Sequence, residues 1–195
     1  MNILNWYSNC LVKNPLVTKC ITTGFLFGLG DFLTQTTIEK TELQKINFKR
    51  TSKMAFVGFF YAAPVLHVWY THGVPMATST IIKKMNWGNL SPSKVSLLGV
   101  AVDQTIFASS FISVFFCLIH FADKFTFKGS LSNVKDKLWP TMLTNWKIWP
   151  VSMYLIFNYA PIQFRVVLAN IVGLFWNMYL SYMQFKTKSV EVSEK

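Results

Sequence analysis

The sequence predicts an all-α integral membrane protein, a helical bundle of four or five transmembrane helices, and three observations carry that reading. Residues of the apolar set make up 52% of the chain and charged residues only 14%, against roughly a quarter in an ordinary soluble domain. The mean hydropathy is +0.34. The apolar residues also gather into runs of the right length: a helix rises about 1.5 Å per residue, so about 20 residues cross a hydrocarbon core of about 30 Å.

The elements follow in order, within one membrane domain expected over 1–185 and a polar tail over 186–195. A short N-terminal segment around Trp6 and Tyr7 belongs at the interface, and Pro15 lies near the start of a first span at about 17–38. Gly24, Gly28, Asp31 and Gln35 recur there at helical spacing and share one face. Gly24 to Gly28 is a GxxxG-type spacing that lets a second helix approach closely. A second span at about 53–72 includes Met54 to Thr71 without a fixed charge, with Gly58 and Pro64 inside it and an exit through Trp69 and Tyr70, which suit an interfacial belt.

A connection over 73–94 leads to a third span at about 94–120, in which Gly99, Asp103, Ser110, Ser113 and Cys117 fall near one face. Ala122 to Lys147 reads as a second basic connection, with a turn at Gly129-Ser130 and an amphipathic piece ending at Trp139-Pro140. The remainder, bracketed by Pro150 and Pro161, gives a span at about 141–161. Arg165 then opens the uncharged run Val166 to Phe185, read as an interfacial helix or as a fifth span at about 163–185. Asn170, Gly173, Asn177, Ser181 and Gln184 lie on one side of it. Five spans divide the basic residues between the two sides more unevenly than four do, and the more polarised division is the one the positive-inside rule favours.

The net charge is +11, from 19 Lys and Arg against 8 Asp and Glu. These charges are scattered through connecting segments, which suits anionic lipid headgroups and not nucleic acid. Cys10, Cys20 and Cys117 have no CxxC or Cys/His spacing and read as apolar thiols. His67, His72 and His120 have no spacing for a metal. No GxSxG, P-loop, HExxH or GxGxxG occurs, so neither enzyme chemistry nor a cofactor is expected. The first 19 residues show neither a signal peptide nor an Arg-rich transit peptide, and the C-terminus is not a Ser-Lys-Leu address; targeting information is expected inside the chain.

The polar stripes have two readings. Small and polar residues pack helices and bond between them, or they line a water-filled path. An acid in such a helix costs roughly 2.5 to 3.5 kcal/mol on insertion scales. Asp31 and Asp103 therefore each pair with a base, meet water or carry a proton, and Arg50, Lys53 and Arg165 are the nearest bases. The candidate lining or buried polar residues are Asp31, Gln35, Asp103, Gln104, Arg165 and Asn177. Candidate packing positions are Gly24, Gly28, Gly30, Gly58, Pro64, Gly99 and Gly173, and the candidate aromatic positions are Trp69, Tyr70, Trp146, Trp149 and Trp176.

Gly28-Leu29-Gly30-Asp31 with Gln35, Arg50-Thr51, Gly58, Pro64, His67, Trp69-Tyr70, Asp103-Gln104, Asn145-Trp146-Lys147-Ile148-Trp149-Pro150, Pro161, Arg165 and Trp176-Asn177-Met178-Tyr179-Leu180-Ser181 resemble the Mpv/PMP family. That family holds the 22-kilodalton peroxisomal membrane protein and its mitochondrial inner-membrane relatives. The resemblance runs from about Trp6 to Ser181. It implies a small helical organellar membrane protein, usually of four spans, in the mitochondrial inner membrane or alternatively the peroxisomal membrane, with non-selective channel activity proposed for some members. Lipids, other membrane subunits or a second copy of the chain are the implied partners, and an accessory subunit of a respiratory complex is the alternative to a channel. Met153 and Ile156 stand where the family commonly has Gln and Asn, which makes that segment more apolar and counts against conduction; Ser109 stands where the family has Pro, and Asn47 where it has an acid.

Overall fold

The computed structural model describes residues 3–159 and 165–193. Pro161 and the span boundaries near it lie outside them, as do the side chains of Ile156 and Arg165. Among the described residues there is no strand, and six helices carry the chain. They are α1 (Ile3–Lys13), α2 (Pro15–Ile38), α3 (Phe48–Lys84), α4 (Pro92–Lys124), α5 (Phe127–Tyr159) and α6 (Arg165–Ser193). By length and composition α2, α3 and α4 are apolar enough to cross a membrane. The protein is an all-α membrane bundle, as the sequence predicts.

Local chemistry explains most boundaries. Pro15 sits in the first turn of α2, where its missing N–H removes no helical bond. The helix ends in a widened π turn, Thr34–Ile38, and Lys40 then turns the chain at φ 53°. Asn47 caps α3, its side chain accepting the Arg50 N–H at 3.0 Å. An amide there does the capping work an acid would do.

Two expected boundaries are displaced. The connection foreseen over 73–94 is shorter, because α3 continues to Lys84. Gly73 closes a π turn, Trp69–Gly73, and Pro75 falls in the first turn after it. The same device precedes Pro64, where Gly58–Ala62 is widened. A widened turn leaves room for the proline ring and lets the backbone pair around its missing donor. The second difference is larger, since Ala122 to Lys147 is mostly helix and the reversal lies at Phe125, φ 50°, not at Gly129-Ser130. Helix α5 runs on through Pro140 and Pro150, where the Trp139-Pro140 stop was expected.

Successive long helices run antiparallel. Asp31 meets Arg50 across α2 and α3, Trp69 meets Asp103 across α3 and α4, Asn133 meets the Phe116 carbonyl across α4 and α5, and Thr144 meets Tyr179 across α5 and α6. The 39–47 connection, the Phe125 reversal and the last turns of α6 thus share one end of the bundle. The 85–91 connection marks the other.

Small residues set the closest approaches. A Cβ at Gly58 would lie 2.8 Å from Phe27 Cβ, and one at Gly30 would lie 2.8 Å from Asn177 Cβ, so α2 is held tightly on both α3 and α6. Gly24 and Gly28 face Phe59 and Ala55 of α3, and Gly99 faces Val74. Gly173 differs from these, since among the described residues a Cβ there would meet nothing within 4 Å. Around these contacts Phe27, Met54, Phe115, Phe116, Ile119 and Leu180 form the core, while Phe25, Phe56, Phe60 and Ile106 are exposed, as suits a lipid-facing surface.

Candidate functional site

Three polar assemblies occur within the apolar bundle. The first surrounds Asp31, which is 0% exposed. Its Oδ1 accepts from Arg50 Nε at 2.7 Å and Ser181 Oγ at 2.6 Å, and its Oδ2 accepts from Gln35 Nε2 at 2.8 Å and Thr51 Oγ1 at 2.7 Å. A carboxylate offers about four lone-pair positions, and here a donor occupies each.

Arg50 uses four of its five N–H donors, one of them on Asp31. Its Nη1 and Nη2 donate to the two oxygens of Glu39 at 2.8 and 2.9 Å, Nη2 also reaches Ser181 Oγ at 2.9 Å, and the guanidinium carbon lies 4.0 Å over the Phe185 ring. Only arginine offers a planar fork that serves two acids and an aromatic face at once. Gln35 closes the assembly, its Oε1 accepting from the Asn47 backbone N–H at 2.8 Å. The result is a clasp of α2, α3 and α6, with Thr34 Oγ1 adding a bond to the Met178 carbonyl at 3.0 Å. Asn177 is buried in the same contact, against Gly30.

The second assembly is built on Asp103, which opens a π turn, Asp103–Phe107, in α4. Its Oδ1 accepts from Trp69 Nε1 at 2.8 Å and its Oδ2 from Gln104 Nε2 at 2.8 Å. Gln104 in turn accepts from Asn145 Nδ2 at 2.8 Å through its side chain, and from Trp146 Nε1 at 3.1 Å through its carbonyl. Unlike Asp31, Asp103 has no base within ion-pair distance among the described residues. The two acids are not level with each other. Arg50 and Trp69 lie on one helix, about 28 Å apart along it at about 1.5 Å per residue, which nearly matches the hydrocarbon thickness of about 30 Å.

The third assembly lies where a connection was expected. Ser130, Asn133, Lys137, Thr141 and Asn145 recur at steps of three and four on α5, and all but Asn133 are buried. Ser130 Oγ meets His120 Nδ1 at 3.2 Å, Asn133 Nδ2 donates to Gln184 Oε1 at 3.1 Å, Lys137 Nζ donates to the Gln184 carbonyl, and Asn145 reaches Gln104. Thr141 Oγ1 is the exception: it is buried without a partner among the described residues. Thr34, Thr78 and Thr144 bond back to their own helices, and Thr141 does not. The row spans about 22 Å and ends at Asp103-Gln104. Its spacing was available in the sequence but was masked by lysines and prolines that read as a loop.

Other candidates take plainer places. Ser109, Ser110 and Ser113 donate to carbonyls of their own helix, so they neither bridge helices nor present free hydroxyls. Tyr70 and Trp146 are exposed, whereas Trp176 is buried, stacked on Tyr179 at 5.4 Å and edge-on to Trp149 at 6.3 Å. Trp176 is therefore part of the core. Lys53 pairs with Asp123, joining α3 to α4, and Lys19 meets His67 at 3.1 Å. Among the described residues no three His, Cys, Asp or Glu side chains could hold a metal.

Comparison with known proteins finds the profile of the Mpv17 / PMP22 family over residues 123–181. The chain is 33% identical to Protein SYM1 of Gibberella zeae over 93% of its own length and 97% of that protein. It is 33% identical to Peroxisomal membrane protein 2 of Bos taurus, covering 91% and 87% of the two chains, and 29% identical to Mitochondrial inner membrane protein Mpv17 of Danio rerio, covering 90% and 93%. No solved structure matches it.

Proposed function

The chain belongs to the Mpv17 / PMP22 family of membrane proteins, and from that premise we propose that it is a non-catalytic five-span protein of the mitochondrial inner membrane that passes small solutes or ions along the polar face of α5. Related proteins are named for the mitochondrial inner membrane and for the peroxisomal membrane, so the peroxisome is the alternative site. The observation that carries the path is the buried row on α5, with Thr141 Oγ1 left without a partner among the described residues between the turns of Lys137 and Asn145. A buried hydroxyl without a partner costs about 1 to 3 kcal/mol, and a water molecule among polar groups removes that cost. Water in that row, continuous with Gln104 and Asp103, is the beginning of a conducting path.

The Asp31 assembly supports a different role. With every acceptor position filled, Asp31 has no capacity left for a passing ion, so it acts here as the clasp of the bundle and not as lining. Purified protein in a planar bilayer should conduct, and Thr141→Leu or Asn145→Leu should lower single-channel conductance by about tenfold while leaving the melting temperature within a few degrees. Absence of current from well-folded protein would favour the second reading, an accessory subunit. That reading rests on the saturation of Asp31 and its ion pair with Arg50 and predicts comigration with a large complex on native gels.

A further inference from the structure

Asp103 lies toward one side of the bundle, bonded to Trp69 of α3. A groove of about 380 Å³ opens there, lined by Pro64, Val65, Val68, Trp69, Gly73 and Phe107, and its walls are almost wholly carbon. Trp69 and Phe107 stack in parallel at 4.4 Å, and the Trp69 N–H is the donor to Asp103. The carboxylate and the groove therefore share a wall. Val68 and Tyr70 are both more than half exposed, so this side of α3 faces outward.

Two features select an occupant. Asp103 accepts from Trp69 on Oδ1 and from Gln104 on Oδ2, and the Tyr70 hydroxyl is a third partner of the same carboxylate, which leaves room for one further donor, with no base in reach among the described residues. It also lies about 28 Å along the bundle from the level of Arg50, where headgroups begin if Arg50 marks the opposite boundary, and from Trp69 to Pro64 the groove descends toward the bilayer centre. We infer that Asp103 and the Trp69–Phe107 groove bind a phospholipid with a primary-ammonium headgroup, the ammonium donating to Asp103 and an acyl chain lying against Pro64, Val65 and Val68. A trimethylated ammonium has no N–H to donate, and a headgroup that is anionic overall would be repelled. A charge-assisted hydrogen bond is the stronger kind, and the neighbouring rings add cation–π attraction. This inference stands independently of conduction.

The test uses the full chain in nanodiscs made from equal parts of phosphatidylethanolamine, phosphatidylcholine and phosphatidylglycerol with identical acyl chains. Lipids retained after mild detergent extraction are counted by native mass spectrometry. Phosphatidylethanolamine should be enriched about fivefold, a modest preference of about 1 kcal/mol, and Asp103→Asn should return retention to the bulk ratio. Val68→Trp, which fills the groove, should lower retention of all three. A series running from ethanolamine through its mono- and dimethyl forms to choline, on unmodified protein, should show retention falling as N–H donors are lost. This arm needs no variant to fold. Equal retention across that series, or unchanged enrichment in Asp103→Asn, would overturn the assignment. Displacement of the lipid by millimolar free ethanolamine would also overturn it, since the ligand would then be a soluble amine.

Discussion

Arg50 is the residue on which the most chemistry converges. It neutralises one of two acids, donates to a serine on a distant helix and lies over an aromatic ring. Breaking a buried pair from one side leaves an uncompensated charge, which costs about 3 to 5 kcal/mol. Arg50→Gln should accordingly destabilise the protein by about that much, read as a lower melting temperature in detergent. Arg50→Lys should recover only part of the loss, because an ammonium is a point charge without the fork. A Lys variant as stable as the parent would show that charge alone matters. Much of this was legible beforehand: the wheel put Asp31 and Gln35 on one face, and Arg50 stood among three candidate bases. Glu39, Thr51 and Ser181 were not foreseen as partners, because a hydrogen bond between residues 131 positions apart, as between Arg50 and Ser181, depends on how three helices pack.

At the scale of elements, glycines that look alike in sequence separate by what faces them. Gly30→Ala drives a methyl to within 2.8 Å of Asn177 Cβ and should push α2 off α6, at about 1 to 3 kcal/mol of stability. Gly173→Ala meets open space among the described residues and should be neutral or stabilising by up to about 1 kcal/mol, the helix propensity difference. Thermal melts of the two variants in one detergent check the contrast, and equal destabilisation would refute it. Helix α5 shows the converse limit of sequence reading. Its lysines and two prolines suggest a connection, yet neighbouring helices tolerate those prolines and cover the polar row. The step of three and four from Ser130 to Asn145 was the signal that could have revealed it.

The whole molecule carries a topological prediction. With five helices crossing in alternation, the N-terminal segment and the end of α6 lie on opposite sides. In a background lacking Cys10, Cys20 and Cys117, Trp6→Cys and Lys186→Cys should react with an impermeant thiol reagent from opposite faces, Gln44→Cys sharing the face of Lys186→Cys. Labelling of Trp6→Cys and Lys186→Cys from the same face would reduce the crossings to four. The sequence by itself determined the helical membrane class, the close-packing glycines of the first span and the presence of acids that needed an explanation. Run length, small-residue spacing and the cost of a charge in hydrocarbon are local properties, readable one helix at a time. Only the tertiary structure decided that Asp31 is saturated and paired with Arg50 while Asp103 meets only uncharged donors among the described residues, and that the buried polar row belongs to α5. Satisfaction of a polar group depends on donors brought from other helices, and no single helix records which neighbours it will have.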